Sequence, residues 1–287
     1  MSTPLSPLIA AETLAERLDE PGLRIFDCRF DLADPAAGEG EYRQAHLPGA
    51  RHLHLDRDLS APVTPATGRH PLPAPAEFEA RLRSWGTGAG SIVVAYDAAN
   101  GMYAARLWWM LRWLGHDRAL VLDGGYARWR ALGLPVTLDE PRHPPGDFVA
   151  HLRPDLAVDA TAVLAVAADP GSRVLDARAP ERFRGELEPI DAVAGHVPGA
   201  VNHPLTESLA ADGRLRSPAE LRGAFEASLG VVPPANVVAM CGSGVTACHL
   251  LLAMEQAGLA GARLYAGSWS EWIRDPRRPV EKGTFSI

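Results

Sequence analysis

The sequence predicts an α/β protein built as two tandem domains, each a mostly parallel sheet covered by helices on both faces. Three observations predict it. A chain of 287 residues is long for one ordinary domain and suits two of about 100 to 150 residues, each able to bury a core. Four segments recur in one order at nearly constant spacing. Within each half, short Val/Ile/Leu runs alternate with helical patterns such as AEFEARLRSW and PAELRGAFEASL, as expected of strands buried on both faces between helices.

The repeats follow the chain. RIFDCR at 24–29 is echoed by RVLDAR at 173–178, an offset of 149, and both predict a buried strand ending in Asp-x-Arg. AHLPGARHLHL at 45–55 is echoed by GHVPGAVNHPL at 195–205; each Pro-Gly pair predicts a turn into another short strand. SIVVAYDAANGMYAARLWWML matches NVVAMCGSGVTACHLLLAM and sets Asp97 opposite Cys241. ALVLDGGYARWRALGLPV at 119–136 answers RLYAGSWSEWIRDPRRPV at 263–280, with Trp129 opposite Trp272. Between the halves, TLDEPRHPPGDFVAHLRPD carries four prolines and no hydrophobic period, the pattern of a surface linker. The expected boundaries are a first domain over 1–138, a linker over 139–152 and a second domain over 153–287.

Composition narrows the function. A formal net charge of -7 with 47% hydrophobic and 22% charged residues describes a globular protein without the broad basic surface that nucleic acid requires. The N-terminal MSTPLSPLIAAETLAERLDEP has no basic region followed by an apolar core, and no stretch reaches the roughly 18 apolar residues of a membrane span. The expected location is the cytoplasm, with no membrane partner. Three cysteines, Cys28, Cys241 and Cys248, show no CxxC pair and no His/Cys spacing suited to zinc, so neither a disulfide framework nor a metal site is expected.

In a parallel sheet, ligands sit where strands pass into loops at their carboxyl ends. VVAM ends at such a point and Cys241 follows it directly. The next residues, CGSGVT, are small enough to turn successive N–H groups inward, and ACHLLLAMEQAG continues as a helix, which together form an anion nest at a helix N-terminus. Such a nest favours thiolate over thiol. A cysteine ending a buried strand is ordinarily a packing residue, but the two glycines and the Ser/Thr after Cys241 make it the candidate nucleophile. Cys248, inside the apolar helix, and Cys28, at a strand end in the other half, are assigned to packing.

These residues resemble the tandem-domain sulfurtransferases, the family of rhodanese and 3-mercaptopyruvate sulfurtransferase. The likeness covers nearly the whole chain: both Asp-x-Arg strand ends, both H-x-P-G-A turns, the CGSGVTA loop and the GSWSEW segment. It implies two rhodanese-like domains, of which only the C-terminal one is catalytic, in accord with Asp97 facing Cys241. It further implies double displacement without a cofactor. The Cys241 thiolate takes the outer sulfur of a small-molecule donor and passes it, from a persulfide, to cyanide, a thiol or a thioredoxin-like acceptor. The N–H groups of Gly242, Ser243, Gly244, Val245 and Thr246 would stabilise that persulfide.

Two markers of the donor conflict. Thiosulfate-type members carry CRKGVT, whereas Gly242 and Ser243 here are neutral and resemble the CGSGVT loop of mercaptopyruvate enzymes. That subfamily also holds its substrate with two arginines, one just before a Phe and one about nine residues later. Arg182 matches the first, but residue 191 is aspartate, which resembles the thiosulfate side. Arg184 is the substitute cation suggested by proximity. The loop touches the reacting sulfur, so 3-mercaptopyruvate is the favoured donor and thiosulfate the alternative. By resemblance, Ser243 belongs to a Ser/His/Asp arrangement with His46 as its histidine and Asp34, Glu39 or Glu41 as its acid. His196 recurs at the place of His46, which also fits a turn-capping role. Tyr103 resembles the family's interdomain tyrosine that closes over substrate. Asp176 and Arg178 recur as Asp27 and Arg29, which favours a structural brace.

Two rivals remain. A C-x5-R phosphate loop would need an arginine where Ala247 stands, so nothing clamps a tetrahedral dianion there. A non-catalytic binding or sulfur-carrier module would have no need of Cys241 and its loop.

Overall fold

The computed structural model describes residues 6–283. The first five residues of the N-terminal stretch and the last four of the expected second domain lie outside the described residues. The chain divides into two compact units. The first comprises the described residues up to Ala61 together with Leu72–Arg153 and Ala210–Leu215; the second comprises Pro62–Pro71, Pro154–Leu209 and the residues from Arg216 onward.

The first unit holds β1 (Leu8–Ile9), β2 (Leu23–Asp27), β3 (Ala50–His52), β4 (Ile92–Tyr96) and β5 (Ala119–Leu122), in the order β1-β5-β4-β2-β3. The second holds β6 (Ala157–Val158), β7 (Arg173–Asp176), β8 (Val201–Asn202), β9 (Val237–Met240) and β10 (Arg263–Tyr265), in the order β6-β10-β9-β7-β8. Every pairing between these ten strands is parallel, and the second order repeats the first strand for strand. The central strands β4 and β9 are buried along their whole length, which is why IVVAY and VVAM read as unbroken apolar runs. The register sets Asp27 beside Tyr96 and Asp176 beside Met240. Asp97 and Cys241 therefore leave their sheets at the same place.

Each unit closes its core around a tryptophan. Trp129 and Trp272 are both fully buried, and each keeps its indole N–H satisfied, on the Pro135 and Pro279 carbonyls at 2.8 and 2.9 Å. The helices after the central strands, Ala104–Trp113 and Thr246–Gln256, are apolar nearly all round because they are buried.

The Asp-x-Arg pairs are internal braces. Arg29 forks onto Asp27, donates to the Ala45 carbonyl and lies over the Tyr126 ring. Arg178 does the same with Asp176, the Gly195 carbonyl and Trp269. The segment 138–153 has neither helix nor strand but is fastened to the first unit. Gly146 and His151 donate to the Arg83 and Leu114 carbonyls, and Phe148 is buried. Among the described residues, no helix is long and apolar enough to cross a membrane, and no group of three or more His, Cys, Asp or Glu is arranged to hold a metal ion.

Candidate active site

Cys241 follows β9 and is buried. Its backbone is fixed by the turn after β10: Trp269 N–H donates to the Cys241 carbonyl at 3.0 Å and Ser270 N–H to the Gly242 carbonyl at 2.9 Å. The first unit repeats this lattice, with Tyr126 and Ala127 donating to the Asp97 and Ala98 carbonyls. Ser268 is the one described non-glycine residue with positive φ, at 51°. Its counterpart in the first unit is Gly125, at 54°. A side chain in that left-handed region costs about 1–2 kcal/mol, and here it does a job glycine cannot do. Ser268 Oγ accepts from Cys241 N–H at 3.1 Å and donates to the Tyr265 carbonyl at 2.9 Å.

The loop curls back on the sulfur. Gly244 N–H donates to Cys241 Sγ at 3.1 Å, and Gly244 has φ of 78°. A Cβ on Gly244 would lie 2.2 Å from the Ala266 carbonyl oxygen. Gly244→Ala is therefore expected to destabilise the protein by about 2–5 kcal/mol, combining left-handed strain with a backbone clash, and to remove activity. Thermal melting and steady-state rates measured together would check this; a wild-type melting temperature with full activity would contradict it.

In the first unit the equivalent nest is filled. The Asp97 carboxylate accepts from the N–H groups of Ala99, Gly101, Tyr103 and Ala104. Burial pushes this carboxyl up, while those four bonds pull it down. The loop thus surrounds a resident carboxylate in one half and a cysteine sulfur in the other.

The histidine paired with Ser243 is His70, not His46. His70 Nδ1 and Ser243 Oγ are joined by a hydrogen bond of 2.7 Å, and both residues are buried. His46 lies in the first unit, where its ring stacks on Tyr42 and its two nitrogens contact the Tyr42 and Asp139 carbonyls at 2.8 and 3.1 Å. Its backbone pairs with Thr137. His196 repeats the arrangement with Phe183 and Glu281, so this histidine fastens the turn to the chain that closes each unit. The acids suggested for His46 are engaged elsewhere: Asp34 with Ala36 N–H, Glu39 with Arg43 and Arg57, Glu41 with Arg29.

Residues Gly68 to His70 reach the loop by close backbone contact. A Cβ on Gly68 would stand 2.5 Å from the Gly267 carbonyl oxygen, and Arg69 N–H donates to Ser270 Oγ at 3.1 Å. The Arg69 guanidinium pairs with Asp191. Arg182 bonds the other Asp191 oxygen at 3.0 Å and forks onto Glu188. Burial raises the Asp191 carboxyl above its ordinary value despite Arg69 and Arg182. Glu188 is also raised by burial, but its bonds to Arg182 and to the N–H groups of Asp191 and Ile190 win and hold it below the usual range. Arg184 is not brought to this cluster. Its guanidinium is forked onto Glu186 at the surface, two residues along the chain. Tyr103 belongs to the first unit, where it packs edge-on against Phe30; burial pushes its phenol up to about 12.

Sequence reasoning missed Arg69, His70 and Ser268. The available signals were weak: Arg69 and His70 lie in a stretch with no close match in the other half, and Ser268 occupies the place of a glycine in the repeat.

A cysteine on a strand–loop–helix turn, in one of two matching parallel-sheet units, defines the class. Residues 10–132 and 159–275 each match the rhodanese-like domain, and the chain belongs to that family. It is a sulfurtransferase. A Pseudomonas aeruginosa protein called a probable 3-mercaptopyruvate sulfurtransferase is 52% identical over 278 residues, spanning 96% of this chain and 98% of that one. A Mycobacterium tuberculosis protein called a putative thiosulfate sulfurtransferase is 40% identical over 284 residues, spanning 96% and 97%. The crystal structure of SseA from Escherichia coli, described as a 3-mercaptopyruvate sulfotransferase, superposes with a TM-score of 0.80 at 33% identity, covering 93% of this chain and 100% of that one.

Proposed function

We propose that the protein transfers sulfur from 3-mercaptopyruvate, through a persulfide on Cys241, to a thiol, cyanide or a thioredoxin-like acceptor. The observation that carries this reading is the Ser243–His70 hydrogen bond, two residues from the nucleophile. When the Cys241 thiolate attacks the donor sulfur, the S–C bond breaks and its electron pair leaves on carbon as the pyruvate enolate. The donor's S–H proton must then reach that carbon, giving pyruvate and the persulfide anion. A serine–histidine pair beside the sulfur is suited to moving that proton. Thiosulfate makes no such demand: attack on its outer sulfur releases sulfite, and no proton moves.

In the second half-reaction the acceptor attacks the outer sulfur and Cys241 leaves as thiolate. Gly244 N–H, with the other N–H groups from Gly242 to Thr246, would stabilise the persulfide charge. Arg182 would bind the donor carboxylate. Ser243 acts with His70 in this reading. None of the three cysteines is joined in a disulfide, which suits the reducing cytoplasm. The relative named for thiosulfate supports that anion as the alternative donor.

The test is steady-state kinetics with both donors, using cyanide and a dithiol in parallel. A kcat/KM for 3-mercaptopyruvate well above that for thiosulfate is expected. The reverse order would transfer the assignment to thiosulfate, and no turnover with either would leave a binding module.

A further inference from the structure

We propose that Arg69 is the second arginine of the donor site. With Arg182 it forms a two-guanidinium fork for the carboxylate of a 2-oxo acid donor, and Asp191 is the arm that holds the fork. The inference rests on the mercaptopyruvate reading above and names the residues that recognise that donor.

The geometry converges on one point. Among the described residues Arg69 donates through Nη1 to Asp191, and Arg182 donates through Nε and Nη2 to Glu188 and Asp191. The remaining ends, Arg69 Nη2 and Arg182 Nη1, have no hydrogen bond there. Both lie over Gly242, 2.8 and 3.5 Å from where its Cβ would be. Gly242 leaves that space open, one residue from Cys241.

The carboxylates face inward and the guanidiniums outward. The Asp191 and Glu188 side chains are 4% and 3% exposed, against 24% and 16% for Arg69 and Arg182. The acids are thus hidden from a ligand that can still reach the arginines. Arg69 Nε is buried without a partner, so the aspartate satisfies only part of this guanidinium. Guanidinium forks bind carboxylates through paired, charge-assisted hydrogen bonds. Asp191, the residue that stands where the resemblance calls for an arginine, here anchors an arginine from a remote segment. The same turn places His70 on Ser243, so two consecutive residues serve the two ends of one donor, its carboxylate and its migrating proton.

The experiment compares wild type, Arg69→Met and the double variant Arg69→Met/Asp191→Asn, the last removing the carboxylate that the single change strands. KM for 3-mercaptopyruvate is expected to rise about tenfold to a hundredfold in both variants, with kcat within a few-fold of wild type. Arg69→Lys, which keeps the charge and loses the fork, should fall between. A wild-type KM in the double variant would overturn the fork alone. Absence of mercaptopyruvate turnover in the wild-type enzyme would overturn the donor reading and the fork together. A loss confined to kcat would also overturn it, because a carboxylate clamp acts on binding.

Discussion

Cys241→Ser is expected to abolish sulfur transfer from either donor, by about a thousandfold or more. A serine hydroxyl in the same nest remains protonated and cannot carry a sulfane sulfur, so both half-reactions lose their relay atom. The fold should survive, because Oγ can accept from Gly244 N–H as Sγ does at 3.1 Å and the volume change is small. Intact-protein mass spectrometry after incubation with donor separates the cases: wild type should gain the mass of one sulfur atom and the variant none. Turnover retained in the variant would remove Cys241 from the chemistry and leave Cys28 or Cys248, both fully buried packing residues in this structure, as the only other thiols.

His70→Asn should lower kcat with 3-mercaptopyruvate by about a hundredfold to ten-thousandfold, the range of general acid–base catalysis, and change thiosulfate turnover by less than about fivefold, since no proton moves in that reaction. Ser243→Ala should behave alike, and the double variant should be no worse than either single one, because residues acting as one relay are not additive. Equal losses with both donors would assign the Ser243–His70 bond to holding the loop rather than moving a proton.

Much of the molecule was legible in the sequence because the information is local. VVAM, CGSGVT and the apolar helix are contiguous, so strand end, nest and helix start could be read in one pass, and Cys241 with them. The parallel sheets followed from unbroken apolar runs, and the duplication from offsets near 150 residues. Even the bracing role of Asp176 and Arg178 was visible, since Asp27 and Arg29 repeat it in the half where Asp97 stands in the place of Cys241. The same logic, applied to His196, argued that His46 fastens a turn, and the stacked rings on Tyr42 and Phe183 are the packing reason.

The partners of the loop were decided by tertiary structure. Ser243 and His70 are 173 positions apart, and Arg69 and Asp191 are 122 apart; no period, cap or turn rule links residues at such distances. Their meeting depends on Gly68 permitting backbone contact with Gly267. Arg184, the nearer candidate in sequence, is drawn away by Glu186, two positions on, a local pairing that costs almost no chain entropy. By itself the sequence therefore determined the scaffold and the strand–loop–helix turn that carries Cys241, the proposed nucleophile, which arise from hydrophobic burial and backbone geometry over a few consecutive residues. Which histidine and which guanidinium lie beside that loop was set by tertiary structure, which places residues 62–71 in the second unit with the loop, so that side chains remote in sequence meet there.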